Sequence, residues 1–121
     1  MNLVVLHGRL VADPEHGVSK SGVSYVGFRV AVNRPFTGAD GKREADFIDC
    51  VAWRATADFI AKHFKKGQGI ALSGRLEIRS YEAQDGSKRS QTRVVADQVE
   101  FAEEGRAKKD GFTESDVELP F

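Results

Sequence analysis

The 121-residue sequence is poor in the residues that build covalent cross-links, metal sites and membrane spans. Its single cysteine, Cys50, has no partner for a disulfide within the chain and no second thiol at metal-ligand spacing. This composition favours a reduced, cytosolic setting. No stretch approaches the roughly 20 apolar residues of a membrane-spanning helix. The N-terminal segment Met1–His7 is too short and carries too little charge for a signal peptide.

The sequence also lacks the groupings of residues that carry out catalysis. The three histidines, His7, His16 and His63, are scattered, and none accompanies Cys50 or a serine with an orienting carboxylate. No glycine-rich phosphate-binding segment precedes a helical pattern in the sequence. These absences predict a protein that is not an enzyme and that holds no metal and no cofactor.

The formal net charge of zero conceals an uneven distribution of charge along the chain. Residues 1–102 carry 15 Lys and Arg against 12 Asp and Glu, a net charge of +3. Residues 103–121 carry 3 Lys and Arg against 6 Asp and Glu, a net charge of −3. A mildly basic body and an acidic tail favour a polyanionic partner for the first and a different partner for the second.

Most of the body has the alternating apolar pattern of half-buried β-strands. A turn signal at Asp85-Gly86 predicts a hairpin between the last two strands, and Asp40-Gly41 marks another turn. The first strand is apolar on both faces, so we expect another subunit to cover one of its edges. The five predicted strands are Leu3–Val11, Val23–Val32, Phe47–Trp53, Ile70–Tyr81 and Gln91–Phe101.

One helix is expected between the third and fourth strands, with Thr56 as its N-cap and Gly67 near its C-terminus. An all-β chain with one short helix in this place is typical of the OB-fold, a five-stranded Greek-key barrel that commonly binds oligonucleotides. We therefore predict a barrel domain over residues 1–102. The hydrophobic pattern stops after Ala102, so residues 103–121 are expected to form a short disordered linker and an acidic tip.

Alternation predicts large aromatic side chains on the outside of the barrel. It places Phe47 and Trp53 on the outer face of the third strand and Tyr81 on the outer face of the fourth, where Leu76 and Ile78 should point inward. Exposed aromatics stack on the unpaired bases of single-stranded nucleic acid, and each contact stabilises the complex by about 1–3 kcal/mol. The alternative is that these rings pack in the core or between subunits. The candidate nucleic-acid-binding residues are Phe36, Phe47, Trp53 and Tyr81, with Arg29, Arg34, Arg75 and Arg79.

The acidic end of the chain is the second candidate site. A proline stiffens the segment, a phenylalanine can fill a small apolar pocket, and the carboxylates can meet a basic rim on a partner protein. The alternative is a solvated acidic terminus with no partner. The candidate partner-binding residues are Asp116, Glu118, Leu119, Pro120 and Phe121.

Four segments, in the same order along the chain, resemble the bacterial and phage single-stranded DNA-binding protein family. They are Gly8–Glu15, Phe47–Arg54, the run Lys66–Ile70 followed by Gly74–Leu76, and the acidic tip that closes in Pro120-Phe121. The resemblance implies sequence-independent binding and protection of single-stranded DNA in replication, recombination and repair, without catalysis. It also implies a homotetramer, a nucleoid-associated place in the cytoplasm, and a tip that recruits replication and repair enzymes.

The resemblance implies stacking roles for the same four aromatic positions, with some departures from the family pattern. Phe36, Phe47 and Tyr81 stand where family members carry tryptophan, and Asp49 lies where many carry a basic residue. The linker is also short for the family. Two other interpretations stay open at the level of sequence: an RNA-binding OB-fold module and a primosome-type accessory protein.

Overall fold

The computed structural model of the chain describes residues 1–37, 39, 41 and 43–102, and for Phe36, Thr37 and Arg43 it describes the backbone alone. Among these residues, no helix is long and apolar enough to cross a membrane. The linker and tip predicted in residues 103–121 lie outside the described residues. The elements in chain order are β1 (Val4–Leu10), β2 (Glu15–Val18), β3 (Ser24–Thr37), β4 (Arg43–Trp53), α1 (Arg54–His63), β5 (Gly69–Glu82) and β6 (Lys88–Phe101).

Five of the strands close into a barrel. In the order β1-β5-β6-β4-β3, neighbouring strands are hydrogen-bonded, and β1 also pairs with β3 through Arg9–Ala31 and Leu10–Val30. All these pairings are antiparallel except β4 with β6, which is parallel. The predicted OB-fold barrel with one helix is therefore confirmed. Among the described strands, the short β2 pairs with β3 alone. It was not predicted, because its four residues include His16 and Gly17 and show no apolar alternation.

The barrel interior is filled by the alternating apolar residues of its strands. Val26 and Val30 of β3 and Ile70 of β5 are completely buried. The helix α1 contributes Ala57 and Ile60 to the same core. This burial of branched aliphatic side chains is the main favourable contribution to folding.

The helix begins earlier than the sequence predicts. Its first residue is Arg54, and Trp53 occupies the N-cap position without a side-chain cap hydrogen bond. The assignment of Thr56 as the cap is wrong, because this residue already lies in the first turn, where its hydroxyl donates to the Asp97 carbonyl (3.4 Å). Gly67 has a φ of +86° but lies in the turn beyond the helix, where its N–H donates to the Leu10 carbonyl (2.8 Å).

Beyond the barrel, β5 and β6 continue as a two-stranded ribbon, because from Arg75 onward β5 pairs with no described strand other than β6. The ribbon ends in the predicted Asp85-Gly86 hairpin turn, where Gly86 has a φ of +87°. Leu76 and Ile78, predicted to be inside, are 41% and 63% exposed. Both residues lie on the same side of β5 as the inward-facing residues, but they lie beyond the end of the barrel interior.

A second ribbon is formed by the outer halves of β3 and β4. From Val32 onward β3 pairs only with β4, and the pairing continues to Thr37 opposite Arg43. The strand β3 therefore includes Phe36, which the sequence places in a loop. The two ribbons and the barrel surface between them position the side chains of the candidate site.

Candidate nucleic-acid interface

The outer face of β3 and β4 carries the side chains that define the candidate site. Residues directly opposite each other in an antiparallel pair share a face, and every second pair returns to that face. The outward pairs, from one end to the other, are Tyr25 with Trp53, Gly27 with Val51, Arg29 with Asp49 and Ala31 with Phe47.

The first of these pairs, the aromatic rung, consists of Tyr25 and Trp53. The ring centroids are 5.5 Å apart with an interplanar angle of 52°. Trp53 is 36% exposed, so one surface of the indole is open while another rests on Tyr25. Tyr25 is not among the site residues predicted from the sequence, although its parity, opposite to that of the buried Val26, is a signal that could have placed it on the outer face.

The ion-pair rung consists of Arg29 and Asp49. Arg29 Nε donates to Asp49 Oδ1 at 2.9 Å, and the two side chains are 55% and 42% exposed. The predicted phosphate-binding Arg29 is therefore held by a neighbouring carboxylate. Val51, in the pair between the two rungs, has the outward parity expected from the sequence but is only 6% exposed.

A groove with a cavity volume of about 830 Å³ runs over the two rungs. One side is formed by the segment between β1 and β2, and the other by the β5–β6 ribbon. Aromatic, cationic and anionic side chains thus line one concave surface. Its lining includes Asp13, Glu15, Tyr25, Gly27, Arg29, Asp49, Val51, Trp53, Arg79, Gln91 and Arg93.

The predicted aromatic residues do not all lie in this groove. Phe47 is 61% exposed opposite Ala31, outside the groove lining. Tyr81 is 50% exposed on the β5–β6 ribbon opposite Arg89, where it lines a separate cavity of about 550 Å³. The side chain of Phe36 lies outside the described residues. Of the predicted aromatic residues whose side chains the structure describes, Trp53 lines the groove and Phe47 and Tyr81 do not.

Arg34 lies on a different face from Arg29. It has the parity of Val32, which packs against the core, and two of its nitrogens donate to Asp46 Oδ1 at 2.8 and 3.1 Å. A third nitrogen donates to Glu44 at 3.1 Å. The Asp46 hydrogen bond and charge raise the pKa of Arg34, and the same hydrogen bond lowers the pKa of Asp46.

The β5–β6 ribbon brings three more arginines to the outer face. Arg93 Nε donates to Glu77 Oε1 at 2.6 Å, and Arg75 lies 3.8 Å from the other oxygen of the same carboxylate. The hydrogen bond from Arg93 is the largest cause of a lowered pKa at Glu77. Arg79 and Arg93 line the groove, whereas Arg75 does not. Arg93 is not among the site residues predicted from the sequence, because its pairing partner could not be known without the strand register.

The groups that could suggest catalysis do not form a catalytic arrangement. Burial raises the pKa of the Cys50 thiol to about 12, with a smaller contribution from Asp49. The Ser24 hydroxyl donates to Asp58 Oδ1 (2.6 Å) and lies 2.8 Å from His16 Nε2. The Asp58 carboxylate approaches His16 at the same nitrogen, with 3.5 Å between Oδ1 and Nε2. In a catalytic triad, the carboxylate instead binds the histidine ring nitrogen that does not face the serine. Within the described ranges, no three His, Cys, Asp or Glu side chains form a potential metal site.

A model of the Single-strand binding protein family matches residues 1–102. The Single-stranded DNA-binding protein of Oceanobacillus iheyensis is 48% identical over 103 residues, which cover 85% of this chain and 64% of that protein. Single-stranded DNA-binding protein 1 of Staphylococcus aureus (strain COL) is 48% identical over 111 residues, covering 92% and 66%. Single-stranded DNA-binding protein 2 of Listeria monocytogenes is 43% identical over 118 residues, covering 98% and 74%.

The chain thus matches slightly under two thirds of the length of the first two relatives. The family match spans the whole barrel, both ribbons and the groove between them. On this basis, the chain belongs to the Single-strand binding protein family.

Proposed function

We propose that this protein binds single-stranded DNA without strong sequence preference and protects it. The observation that carries the proposal is the groove whose lining combines the partly exposed Trp53 ring with the arginines Arg79 and Arg93. Proteins of this family bind DNA and are not enzymes, which agrees with the prediction from the sequence. The three relatives are named for the same ligand.

The groove favours single strands for a physical reason. A stacking ring needs an unpaired base with an accessible face, and duplex bases already stack on their neighbours. Stacking on a side chain such as Trp53 contributes about 1–3 kcal/mol per base and tolerates any base. The arginines add attraction to the phosphates that does not depend on sequence.

The proposed path of the strand runs along the outer face from Phe47, through the groove, to Tyr81. Both rings are at least half exposed on the outward side of their strands. Arg75 and Arg79 follow the same side of the ribbon. Arg34 lies on the opposite face of the β3–β4 ribbon, so it would contact the DNA only if the DNA wraps around that ribbon. Phe36 remains part of the proposal from the sequence pattern.

The proposal is tested by the equilibrium binding of a fluorescently labelled oligo(dT) and of a duplex of equal length. We expect a strong preference for oligo(dT), and Trp53→Ala should weaken its binding by roughly 5- to 150-fold. Phe101→Ala is the matched control, because it removes a half-exposed ring outside the groove. Equal affinity for duplex and single strand, or unchanged binding by Trp53→Ala, would contradict the proposal.

Salt dependence tests the role of the arginines. The logarithm of the binding constant for oligo(dT) should fall linearly with the logarithm of salt concentration, with a slope of about −0.7 per phosphate neutralised. Arg79→Ala should reduce the steepness by about that amount. A flat salt response would contradict phosphate contacts by this surface. Competition by an RNA strand of equal length tests the RNA-binding alternative, which requires RNA to compete as well as DNA.

The wider role is proposed from the family resemblance and the acidic end of the chain. We propose that the protein coats single strands during replication, recombination and repair in the cytoplasm, associated with the nucleoid, and that its tip recruits enzymes of these processes. Deletion of Phe121 should abolish these protein contacts and leave oligo(dT) affinity nearly unchanged. Equal partner binding by the truncated protein would contradict this assignment. The tip residues are Asp116, Glu118, Leu119, Pro120 and Phe121.

Assembly into a homotetramer is proposed on the exposed apolar surface near β1. Over Val4–Leu6, β1 pairs with β5 and with no other strand of the described residues, so this part of its other edge is open. Leu3 and Val5 are 65% and 70% exposed at this edge, and Ile78 is 63% exposed on the β5–β6 ribbon. An open edge with exposed apolar residues favours pairing with another chain.

A further inference from the structure

Three residues on neighbouring strands form a row on the outer face of the sheet. Gly17 of β2 is directly opposite Tyr25 of β3, and Tyr25 is directly opposite Trp53 of β4. Directly opposite residues share a face of the sheet, so Tyr25 lies between a residue without a side chain and the indole of Trp53. Of the three, Tyr25 and Trp53 line the groove and Gly17 does not.

The ring of Tyr25 lies over the backbone of Gly17. A Cβ built on Gly17 would fall 2.7 Å from both Cζ and the hydroxyl oxygen of Tyr25, which is closer than two such atoms can approach. An aromatic side chain opposite an edge glycine covers the backbone that the glycine leaves bare, and β2 is the last strand in the order of the described sheet. The same ring packs beside Trp53, with 5.5 Å between the centroids. Gly17 is therefore required for the position of the Tyr25 ring.

A polar cluster on the opposite face of β3 joins the elements that carry this row. Ser24, next to Tyr25, donates its hydroxyl proton to Asp58 Oδ1 of α1 (2.6 Å) and lies 2.8 Å from His16 Nε2 of β2. Because a serine hydroxyl has a single proton, His16 Nε2 is the donor in the second bond. The two bonds link β2, β3 and the helix that follows β4. The strands of the row are thereby held together.

The contact with Tyr25 limits the movement of the Trp53 ring. Trp53 is 36% exposed, and an exposed side chain without neighbours occupies several rotamers. Packing against Tyr25 at an interplanar angle of 52° favours one orientation of the indole. A side chain that is already ordered loses less conformational entropy when a ligand binds to it. The Trp53 ring is therefore oriented before a base stacks on it.

We propose that Tyr25 is a positioning residue for DNA binding: seated over Gly17, it holds the Trp53 ring in the orientation that accepts a base. The inference rests on the proposed function, because Tyr25 acts through Trp53 and makes no contact with the base itself. Removal of Tyr25 leaves the Trp53 ring in place but free to reorient, so binding weakens without being abolished.

A double-mutant cycle between Tyr25 and Trp53, measured with labelled oligo(dT), tests the proposal. Tyr25→Ala should weaken binding by about two- to tenfold, the range expected for one aromatic pair. In a Trp53→Ala background the same change should have no effect, because no indole remains to be positioned. Tyr25→Phe keeps the ring and should bind like the wild type. Losses that multiply in the double variant would show that Tyr25 contacts the DNA directly and would overturn the proposal.

Gly17→Ala tests the seat of Tyr25 without changing a residue that lines the groove. The added methyl group displaces the Tyr25 ring, so oligo(dT) binding should weaken in the wild-type background and not in the Tyr25→Ala background. The fluorescence emission of Trp53 in the free protein should also change. Val18→Ala, at the next position of β2 with the opposite parity, is the matched control and should match the wild type in both measurements.

The outcomes distinguish this inference from the proposed function. Failure of the wild type to bind oligo(dT) would overturn the proposed function itself. Weaker binding by Trp53→Ala together with wild-type binding by Tyr25→Ala would overturn the positioning role alone, as would wild-type binding and emission of Gly17→Ala. Losses that do not multiply in the Tyr25 and Trp53 cycle support the assignment, and this cycle decides it even if Gly17→Ala does not fold.

Discussion

At the scale of single residues, Cys50 shows how position decides chemistry. Its side chain points into the barrel and is 4% exposed. Removing a thiolate from water is costly, so burial is the larger cause that raises the pKa of this thiol to about 12, and Asp49 adds to it. The thiolate is the reactive form, so this cysteine is inert in the folded protein.

The first prediction follows from this thiol. At pH 8 the native protein should react with a thiol reagent far more slowly than the urea-unfolded protein, where the thiol pKa returns to about 8.5. Because the folded thiol pKa is raised, its contribution to stability is present below the unfolded pKa and is lost as the pH rises through the folded value. Rapid labelling of the native protein, without unfolding detected by circular dichroism, would contradict this.

Residue parity could be read from the sequence, but residue environment could not. Alternation places Trp53 and Phe47 on the outer face, and the structure finds both there. Alternation gives no information about neighbours on other strands. It therefore could not identify Asp49 as the partner of Arg29, or Glu77 as the partner of Arg93.

At the scale of elements, the β5–β6 pairing depends on a glycine. The register shifts between Ser73 and Gly74, and a Cβ on Gly74 would fall on the carbonyl oxygen of Val95 and the backbone of Ala96. Backbone atoms that are hydrogen-bonded between two strands cannot move aside in the way that the end of a flexible side chain can. The glycine thus permits the close approach of the two strands at the point where they leave the barrel.

The second prediction compares two glycines. Gly74→Ala should lower the free energy of unfolding by about 1–3 kcal/mol, because the added methyl group forces the strands apart. Gly27→Ala is the matched control in a strand with open space above it, and it should be neutral or slightly stabilising. Urea unfolding followed by circular dichroism measures both. Equal stability of the two variants would show that the close approach at Gly74 is not required.

The third prediction concerns the ion pair of the β5–β6 ribbon. The pKa of Glu77 is lowered chiefly by the hydrogen bond from Arg93, so its contribution to stability is present above the ordinary carboxyl pKa of about 4.5. It is lost as the pH falls through the lowered value. The urea midpoint of wild type should therefore fall on acidification below about pH 4.5 more than that of Glu77→Gln. Glu82→Gln, on the same strand, should follow wild type, and a Glu77→Gln profile identical to wild type would contradict the assignment.

Element types were more predictable than element ends. The barrel strands and the Asp85-Gly86 hairpin follow from apolar alternation and turn chemistry. The start of α1 at Arg54, with a φ of +57°, could not be expected, because a left-handed arginine is unfavourable locally and is tolerated only where tertiary packing requires it. The exposure of Leu76 and Ile78 depends on where β1 stops pairing with β5, which strand patterns do not show.

At the scale of the whole molecule, closure of the barrel leaves the first part of the β1 edge unpaired within the described residues. The β1 edge with Leu3 and Val5 has no partner strand over Val4–Leu6 within the described part of the chain. Asn2 secures the start of this edge, because its side chain exchanges two hydrogen bonds with the backbone of Leu76 (2.8 and 2.9 Å). The edge is therefore held in a fixed position, as the proposed assembly requires.

The fourth prediction tests assembly by native mass spectrometry. Wild type should have the mass of a tetramer, and Val5→Asp should shift the population to smaller species, because it introduces four like charges into contacts between subunits. Val18→Asp, with a similarly exposed apolar side chain on β2, is the matched control and should remain tetrameric. A wild-type monomer, or a tetramer of Val5→Asp as stable as wild type, would contradict the proposed assembly.

Stacking of single-stranded DNA on the exposed ring of Trp53 is the contact on which the proposed function depends most. Trp53 is the sole tryptophan in the chain, so its fluorescence reports on this one position. Titration with oligo(dT) should quench that fluorescence and reach a plateau at the same stoichiometry as the anisotropy of the labelled strand. Unchanged tryptophan fluorescence on protein that anisotropy shows to be saturated would contradict the claim.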